Sequence, residues 1–479
     1  MAVILSVSEG SRPNKLRCAS MRIPDETLSE KFAGHYAALQ FNQIPSAVVD
    51  AAKLHIFDSL GCLLAGSRLE AGKLAHDLAV ATSGAVANST STLFGTVRQV
   101  SFLDAVQAMS VAAHCGEMDD IHSGAGTCVG AMVVPALIAM TEKYGGTRRR
   151  FLEAAVIGYE TLIRVGLSID APKLFAHGWW PSTICGAFGV AAAGAKFLNW
   201  TADKTVNALA IAALHSGGMI TGGNEGATAR HLAFAHAAQN GIHSLLAAQQ
   251  EFTGPKRAFE DPRGFCLTLC AEPKWEYLQS FDSFHLPKVA LKPYPCARQL
   301  HAGVEALLKI LRRTSLTPAA IEEIELFLPA QNAAMMNRPS ITARHAATVG
   351  SGQYVMAVTA QRGKIDLVSF DEEYLASEKV RTLMTKVEVS ASTDLDRHYP
   401  KYWSGRVEVR LLDGQTYSEE VIIPKGESGN PMTQSEVEEK FLSLAAPVLG
   451  DEKARTFIEG VQSLDGRDSL APLLAALKL

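Results

Sequence analysis

The sequence has no surplus of basic residues and no apolar run long enough to cross a membrane. Its 45 Lys and Arg residues stand against 49 Asp and Glu residues, which gives a formal net charge of −4. Dedicated nucleic-acid binding usually shows as a basic surplus. The longest apolar runs, such as 131–140, are shorter than the roughly 20 residues that a membrane-spanning helix needs. We therefore expect neither nucleic acid nor a membrane as a partner.

Signatures of disulfide frameworks, zinc ligation and nucleotide binding are also missing. The eight cysteines form no C-x-x-C pair, and most lie in apolar or small-residue stretches. This usage predicts buried, reduced thiols in a cytoplasmic protein. The sequence has no Walker loop, no G-x-S-x-G elbow and no H-E-x-x-H helix. We therefore expect no metal site.

The first 20 residues allow two interpretations. Arg12, Lys15 and Arg17 stand against the single acid Glu9, a balance that is typical of a mitochondrial presequence. A disordered tail, or an upstream start codon ahead of Met21, explains the same composition. We favour the second interpretation and expect residues 1–22 to form a flexible tail.

Apolar patterning predicts a mostly α protein with an α+β part. Segments rich in Ala and Val indicate a large all-helical domain over residues 23–272. Short β-branched or alternating segments then predict a smaller α+β domain over 273–427, with a hairpin turn at Asp413-Gly414. Residues 428–479 are again helical, and Pro447 is expected to end the first of their helices. The predicted helices include 102–113, 131–143, 151–169, 184–198, 206–215 and 434–446, and the predicted strands are 289–291, 324–328, 386–390 and 406–412.

The most unusual stretch, residues 114–130, interrupts two very apolar helices with three carboxylates and two imidazoles. Charged groups beside core helices cost free energy unless they are paired or hydrogen-bonded, which favours a functional site. A solvated loop, in which Asp119 or Asp120 caps the next helix, is an equally weighted alternative.

Two other segments carry cations that suit carboxylate binding. Lys292 and Arg298 flank a proline-stiffened segment that leads into a predicted helix. Arg230 follows a glycine-rich loop that begins at Gly222, and its guanidinium could hold a carboxylate in a bidentate manner. Solvated surface cations are the competing interpretation of both segments.

Five motifs resemble the MmgE/PrpD family and occur in the order that this family shows. The resemblance begins near Ile23 and covers nearly the whole chain. The motifs are Asp58-Ser59-Leu60-Gly61-Cys62-Leu63-Leu64-Ala65-Gly66, Glu117-Met118-Asp119-Asp120, Gly178-Trp179-Trp180-Pro181-Ser182-Thr183, Phe252-Thr253-Gly254-Pro255 and Lys292-Pro293-Tyr294-Pro295-Cys296.

The family includes 2-methylcitrate dehydratase, cis-aconitate decarboxylase and iminodisuccinate epimerase. The resemblance implies a large all-helical domain plus a smaller α+β lid domain, with C-terminal helices that return to the helical domain. It also implies a homodimer that needs no metal and no organic cofactor.

The resemblance also implies functional residues. The acidic loop of the family matches Glu117, Asp119 and Asp120, its lid lysine matches Lys292, and a lid tyrosine matches Tyr354. We accordingly expect catalytic roles for Glu117, Asp119, His122, Lys292 and Tyr354, and substrate contacts from Asp120, Cys128, Trp180 and Arg230.

Three positions depart from the pattern of the family. Cys128 and Trp180 stand where the family usually has histidine, and Arg230 stands where it usually has lysine. His122 and His177 lie close by in sequence and are candidates to compensate. These changes leave the acid/base assignment open, and with it the reaction.

Family substrates are small polycarboxylates, and the family's reactions share a carbanion-like or enolate-like stage beside a carboxylate. Arg230 and Lys292 would stabilise that charge, while His122, Glu117 or Asp119 would move a proton. We expect a cofactor-independent lyase that dehydrates or decarboxylates a citrate-, alkylcitrate- or aconitate-like acid. Alternatives are an epimerase or isomerase of a small polycarboxylate, and a non-catalytic member that lost the usual histidine.

Overall fold

A computed structural model describes residues 26–84, 91–340 and 344–479 of the protein. The N-terminal tail predicted over residues 1–22 lies outside these ranges. None of the helices in these ranges combines the length and the hydropathy that a membrane crossing requires. The predicted fold class, mostly α with a smaller α+β part, is confirmed. The domain boundaries near residues 272 and 427 stay predictions.

The first part of the chain, here called the helical part, forms one large apolar core. The predicted helices at 102–113, 131–143, 151–169, 184–198 and 206–215 all coincide with observed helices. The described elements of this part are α1 (Leu28–Ala38), α2 (Ser46–Gly66), α3 (Glu70–Ser83), β1 (Ser91–Thr92), β2 (Gln99–Val100), α4 (Phe102–Cys115), α5 (Gly130–Tyr144), α6 (Arg148–Ser168), α7 (Ala171–Ala176), α8 (Pro181–Phe197), α9 (Ala202–Leu214), α10 (Thr221–Asn224), α11 (Ala229–Gln249), α12 (Phe265–Leu269) and α13 (Glu276–Gln279).

Glycines let the central helices α6 and α8 approach closely. A Cβ at Gly189 would lie 2.7 Å from Cβ of Leu162 and 2.8 Å from the carbonyl oxygen of Gly158. Real side chains do not tolerate such distances, so glycine is required where these two helices cross. The small-residue composition that predicted burial therefore acts through close backbone packing.

The α+β part packs helices on a four-stranded sheet with the strand order β4-β3-β5-β6. Strands β3 and β4 are parallel, whereas β5 is antiparallel to both β3 and β6. The hairpin between β5 and β6 turns at Gly414 with φ +86°, which confirms the predicted turn. The elements are α14 (His301–Thr314), β3 (Ile321–Leu328), α15 (Ala330–Met336), α16 (His345–Thr348), α17 (Gly352–Arg362), α18 (Glu372–Leu375), α19 (Glu378–Met384), β4 (Val387–Ala391), α20 (Thr393–Asp396), β5 (Gly405–Leu411) and β6 (Thr416–Val421).

One predicted strand, at 289–291, is wrong. This segment makes a single antiparallel bridge, between Ala290 and Ile121, and does not join the sheet. Its apolar side chains are buried because the segment runs between the two parts of the molecule. The bridge fixes the residues just before Lys292 against the acidic stretch.

The C-terminal helices α21 (Gln434–Leu449), α22 (Asp451–Gln462) and α23 (Ala471–Ala475) pack on the helical part. The rings of Phe57 on α2 and Phe441 on α21 stack with centroids 4.1 Å apart. The prediction that Pro447 ends its helix is wrong, because α21 continues through Pro447 to Leu449 and ends at Gly450. The buried side chains of Val448 and Leu449 stabilise this last turn.

Candidate active site

The acidic loop, residues 116–129 between α4 and α5, is buried between the two parts of the molecule. Asp119 and Asp120 are fully buried, and Glu117 is only 4% exposed. Glu117 also has a left-handed backbone with φ +52°, which is uncommon for a residue with a side chain and costs free energy. The alternative of a solvated loop is therefore excluded, and the three carboxylates must be compensated inside the protein.

Glu117 lies between two cations that come from distant parts of the chain. Its Oε1 is 2.5 Å from a guanidinium nitrogen of Arg230, near the start of α11, and its Oε2 accepts a hydrogen bond from Lys292 Nζ at 3.1 Å. Burial alone would raise the pKa of this carboxyl group, but Arg230 and Lys292 hold the pKa well below its ordinary value. Glu117 is therefore ionised and a poor proton donor.

Lys292 is 1% exposed and contacts two carboxylates of the acidic loop. Its Nζ lies 3.7 Å from Asp119 Oδ1 in addition to its bond with Glu117. Burial would lower the pKa of Lys292, but the charges of Glu117 and Asp119 raise it above its ordinary value. The ammonium group is thus a fixed positive charge and cannot serve as a base.

Asp119 also orients an imidazole that the sequence analysis did not single out as functional. Nδ1 of His114, in the last turn of α4, lies 2.9 Å from Asp119 Oδ2. Since an ionised carboxylate only accepts hydrogen bonds, this contact places the proton of the neutral ring on Nδ1. His114 Nε2 has no hydrogen-bond partner among the described residues. The five-residue spacing of His114 and Asp119 across a helix end was the available sequence signal.

Asp120 stabilises the fold around the acidic loop and does not line the cavity. Its Oδ1 accepts hydrogen bonds from the backbone N–H groups of Val129 and Gly130 at the start of α5. Its Oδ2 accepts a bond from the Tyr159 hydroxyl at 2.6 Å and lies 2.9 Å from His55 Nδ1. The expected substrate contact of Asp120 is therefore replaced by a capping role at α5.

Two expected catalytic residues, His122 and Tyr354, are not brought to the cavity. His122 Nδ1 accepts a bond from Ala125 N, and burial together with Lys288 lowers the pKa of the ring to about 4. Tyr354 is fully buried in the core of the α+β part, where its hydroxyl donates to the Ser369 carbonyl at 2.6 Å. His122 Nδ1 and the Tyr354 hydroxyl therefore support local structure.

Five of the other expected residues line one cavity of about 80 Å³ between the helical and α+β parts, and Asp119 lies behind them without lining it. A buried water molecule needs about 10–15 Å³, so this volume corresponds to on the order of six waters. The side chains that line it include His114, Glu117, Cys128, Trp180 and Arg230 from the helical part and Lys292, Arg298, Gln299, Met335, Met336 and Arg338 from the α+β part.

Cys128 and Trp180 shape the wall of the cavity. Burial, together with the charge of Asp119, raises the pKa of the Cys128 thiol well above its ordinary value, so the thiol stays protonated and is a poor base. The ring of Trp180 lies 5.2 Å from the Arg230 guanidinium, a cation–π contact that holds Arg230 toward Glu117.

Arg298 is a cavity residue whose charge is already compensated. Its guanidinium lies 3.0 Å from Glu427 Oε1, and the same oxygen accepts a bond from Ser123 Oγ at 2.7 Å. These contacts join the α+β part to the acidic loop. Arg298 therefore holds the two sides of the cavity together.

Comparison with known proteins agrees with this architecture. The family model of the MmgE/PrpD N-terminal domain matches residues 30–278, and that of the MmgE/PrpD C-terminal domain matches residues 294–466. A cis-aconitate decarboxylase-like protein, oryM, of Aspergillus oryzae is 27% identical, with 95% of this chain and 98% of the relative covered. The cis-aconitate decarboxylase of Aspergillus terreus is 27% identical over 92% and 94% of the two chains, and that of Homo sapiens 28% identical over 95% of each. These matches cover most of the chain, which therefore belongs to the MmgE/PrpD family.

Proposed function

We propose that this protein is a lyase that removes CO₂ from a small polycarboxylate of the cis-aconitate type. The observation that carries the proposal is the convergence of Arg230 and Lys292, from separate parts of the chain, on one buried cavity. The similarity to cis-aconitate decarboxylases over more than nine-tenths of the chain supports the same reaction class.

The two cations suit a substrate with more than one carboxylate. Arginine offers two parallel N–H donors to a carboxylate, and a buried lysine supplies a concentrated positive charge. In the structure both cations contact Glu117, so a substrate carboxylate would compete with Glu117 for them. We infer that the substrate binds beside Glu117 and shares its cations.

Decarboxylation leaves an electron pair on carbon when the bond to CO₂ breaks. In an aconitate-like acid that pair delocalises toward a neighbouring carboxylate, which becomes enolate-like. A fixed cation next to this group stabilises the transition state more than the ground state, because the charge grows as the bond breaks. Lys292, which stays protonated, is the residue that we assign to this role.

The size of the cavity restricts the class of substrate. A volume of about 80 Å³ leaves no room for a nucleotide or a long acyl chain and favours a small acid. Met335, Met336 and Trp180 also line the cavity and would contact the carbon skeleton. The proposed substrate is therefore short and multiply charged.

The test is incubation of the purified protein with cis-aconitate, 2-methylcitrate and citrate in D₂O, followed by NMR, mass spectrometry and CO₂ detection. We expect CO₂ and a decarboxylated, deuterium-labelled product from cis-aconitate, and no product with the Lys292→Met variant. Loss of water instead of CO₂ would make the protein a dehydratase. Deuterium in recovered substrate without a product would indicate an epimerase or isomerase, and thermal stabilisation without any turnover would indicate a binding protein.

A further inference from the structure

The imidazole of His114 is the one titratable group lining the cavity, among the described residues, whose pairing leaves a ring nitrogen without a partner. His114 is 1% exposed, and its Nδ1 is engaged by Asp119. Of the other cavity groups, Arg230 and Lys292 are both paired with Glu117, and burial raises the pKa of the Cys128 thiol well above its ordinary value, which makes it a much weaker acid than an imidazolium. The chemistry of a proton transfer therefore falls to Nε2 of His114.

Packing fixes the ring of His114 in one orientation. The ring stacks on Phe234 with a centroid distance of 3.9 Å and an angle of 9° between the planes. Trp180 lies against it with centroids 5.5 Å apart. Since the stacked ring cannot turn freely and Nδ1 is engaged, Nε2 keeps a fixed position. Such preorganisation is what a proton donor in a catalytic site needs.

His114 lies close to Cys128 in the cavity. One ring nitrogen of His114, a carboxylate oxygen of Asp119 and Cys128 Sγ all lie within 4.8 Å of one another. Cys128 stands where the resemblance to the family places a histidine. His114 therefore brings an imidazole to the same region of the cavity from the last turn of α4.

The geometry points to His114 as the proton donor of the proposed decarboxylation, with Asp119 as its positioning residue. This inference rests on the proposed function and adds the group that completes the reaction. As the bond to CO₂ breaks, its electron pair stays on the substrate. The protonated His114 gives its Nε2 proton to the carbanionic carbon and becomes neutral. Its Nδ1 keeps its own proton and stays hydrogen-bonded to Asp119. A proton from water restores the imidazolium when the product leaves.

Charged groups of both signs lie around His114. Asp119 contacts its Nδ1, and Glu117, Arg230 and Lys292 line the same cavity. The ring of Phe234 packs against its face. The donor thus lies beside the cations that hold the developing negative charge, which is where the proton has to be delivered.

The test compares His114→Asn with the matched control His231→Asn. The ring of His231 lies 5.4 Å from that of His114, is buried and does not line the cavity. We expect kcat for cis-aconitate to fall about 10²–10⁴-fold in His114→Asn, the range typical of general acid–base groups, and to stay near wild type in His231→Asn. The Kd of tricarballylate, an unreactive tricarboxylate, should change little in either variant.

Two further variants separate chemistry from packing. In His114→Asn/Cys128→His an imidazole returns within reach of the same region, and we expect part of the lost kcat to return. A double variant that binds tricarballylate but stays inactive would overturn the donor role. If His114→Asn does not fold, Asp119→Asn keeps the ring while removing its ionised acceptor, and undiminished kcat in that variant would equally overturn the inference.

The outcomes also separate this inference from the proposed function. An inert wild type would overturn the proposed function and the role of His114 with it. An active wild type together with an active His114→Asn variant would overturn the role of His114 alone.

Discussion

Glu117 Oε2 and Lys292 Nζ are 3.1 Å apart although the two residues are separated by 175 positions in the chain. The first residue belongs to the acidic loop of the helical part, and the second leads into the α+β part. Both are buried, so the pair links two separately packed apolar cores through a charged contact. The same contact places a permanent cation at the cavity, and stability and activity are therefore expected to depend on it together.

Replacement of Lys292 tests this double dependence. We expect Lys292→Met to lower turnover at least about 10²-fold, because the fixed positive charge at the cavity is lost. Removal of one partner of a buried ion pair typically destabilises a protein by about 3–5 kcal/mol. Arg230 still compensates Glu117, so the lower end of that range is expected in urea unfolding.

The double variant Glu117→Gln/Lys292→Met is the control for Lys292→Met. It removes both charges, so we expect part of the lost free energy of unfolding to return while turnover stays absent. Wild-type turnover in Lys292→Met would contradict the placement of the site.

The pH dependence of stability reports on Glu117. Arg230 and Lys292 hold the pKa of Glu117 well below its ordinary value of 4.5, so the folded state keeps this carboxylate charged where the unfolded state binds a proton. Its contribution to stability is complete above about pH 4.5 and is lost as the pH falls below that value. We expect the difference in unfolding free energy between wild type and Glu117→Gln to shrink from pH 7 toward pH 3. A difference that does not vary with pH would contradict the prediction.

Local patterns predicted the elements of this fold better than the site. Asp413-Gly414 correctly predicted a hairpin, because the tight turn requires a left-handed backbone that glycine readily adopts. Segment 289–291 had the composition of a strand, but its position between two cores, which no local pattern records, made it a connection. The continuation of α21 past Pro447 likewise depends on the burial of the residues that follow.

The site could be predicted where charge and burial conflict in the sequence. Buried acids between apolar helices need compensating groups, and Arg230 and Lys292 supply them for Glu117 and Asp119. The proposed role of His114 could not be predicted from the sequence, because it depends on contacts with Asp119, Phe234 and Cys128. Only the fold brings these residues together. Tyr354 was predicted to be catalytic from the family resemblance alone. In the structure its hydroxyl donates a hydrogen bond to a backbone carbonyl.

Tyr354→Phe separates the structural role of this residue from a catalytic one. The variant removes the hydrogen bond to the Ser369 carbonyl, and leaving a buried acceptor unpaired costs about 1–3 kcal/mol. We expect a lower melting temperature and an unchanged kcat and KM for cis-aconitate at a temperature where both proteins are folded. A large loss of kcat without a loss of stability would return Tyr354 to the catalytic residues.

Lys440 on α21 connects the C-terminal helices to the acidic loop. Its Nζ donates to the Met118 carbonyl at 2.7 Å and lies 2.5 Å from Asp58 Oδ1 on α2. Met118 stands between Glu117 and Asp119, so this bond fixes the backbone from which both carboxylates project.

We expect Lys440→Met to destabilise the protein by about 3–5 kcal/mol, because Asp58 is left buried without its partner. We also expect kcat to fall more than the affinity for tricarballylate, because Asp119 is no longer held against His114. In Asp58→Asn/Lys440→Met the buried charge is removed and most of the stability should return, whereas the bond to Met118 stays absent and kcat stays low. Unfolding in urea and steady-state kinetics measure the two effects separately. If kcat recovers together with stability in the double variant, Lys440 acts on the fold alone and not on the position of the acidic loop.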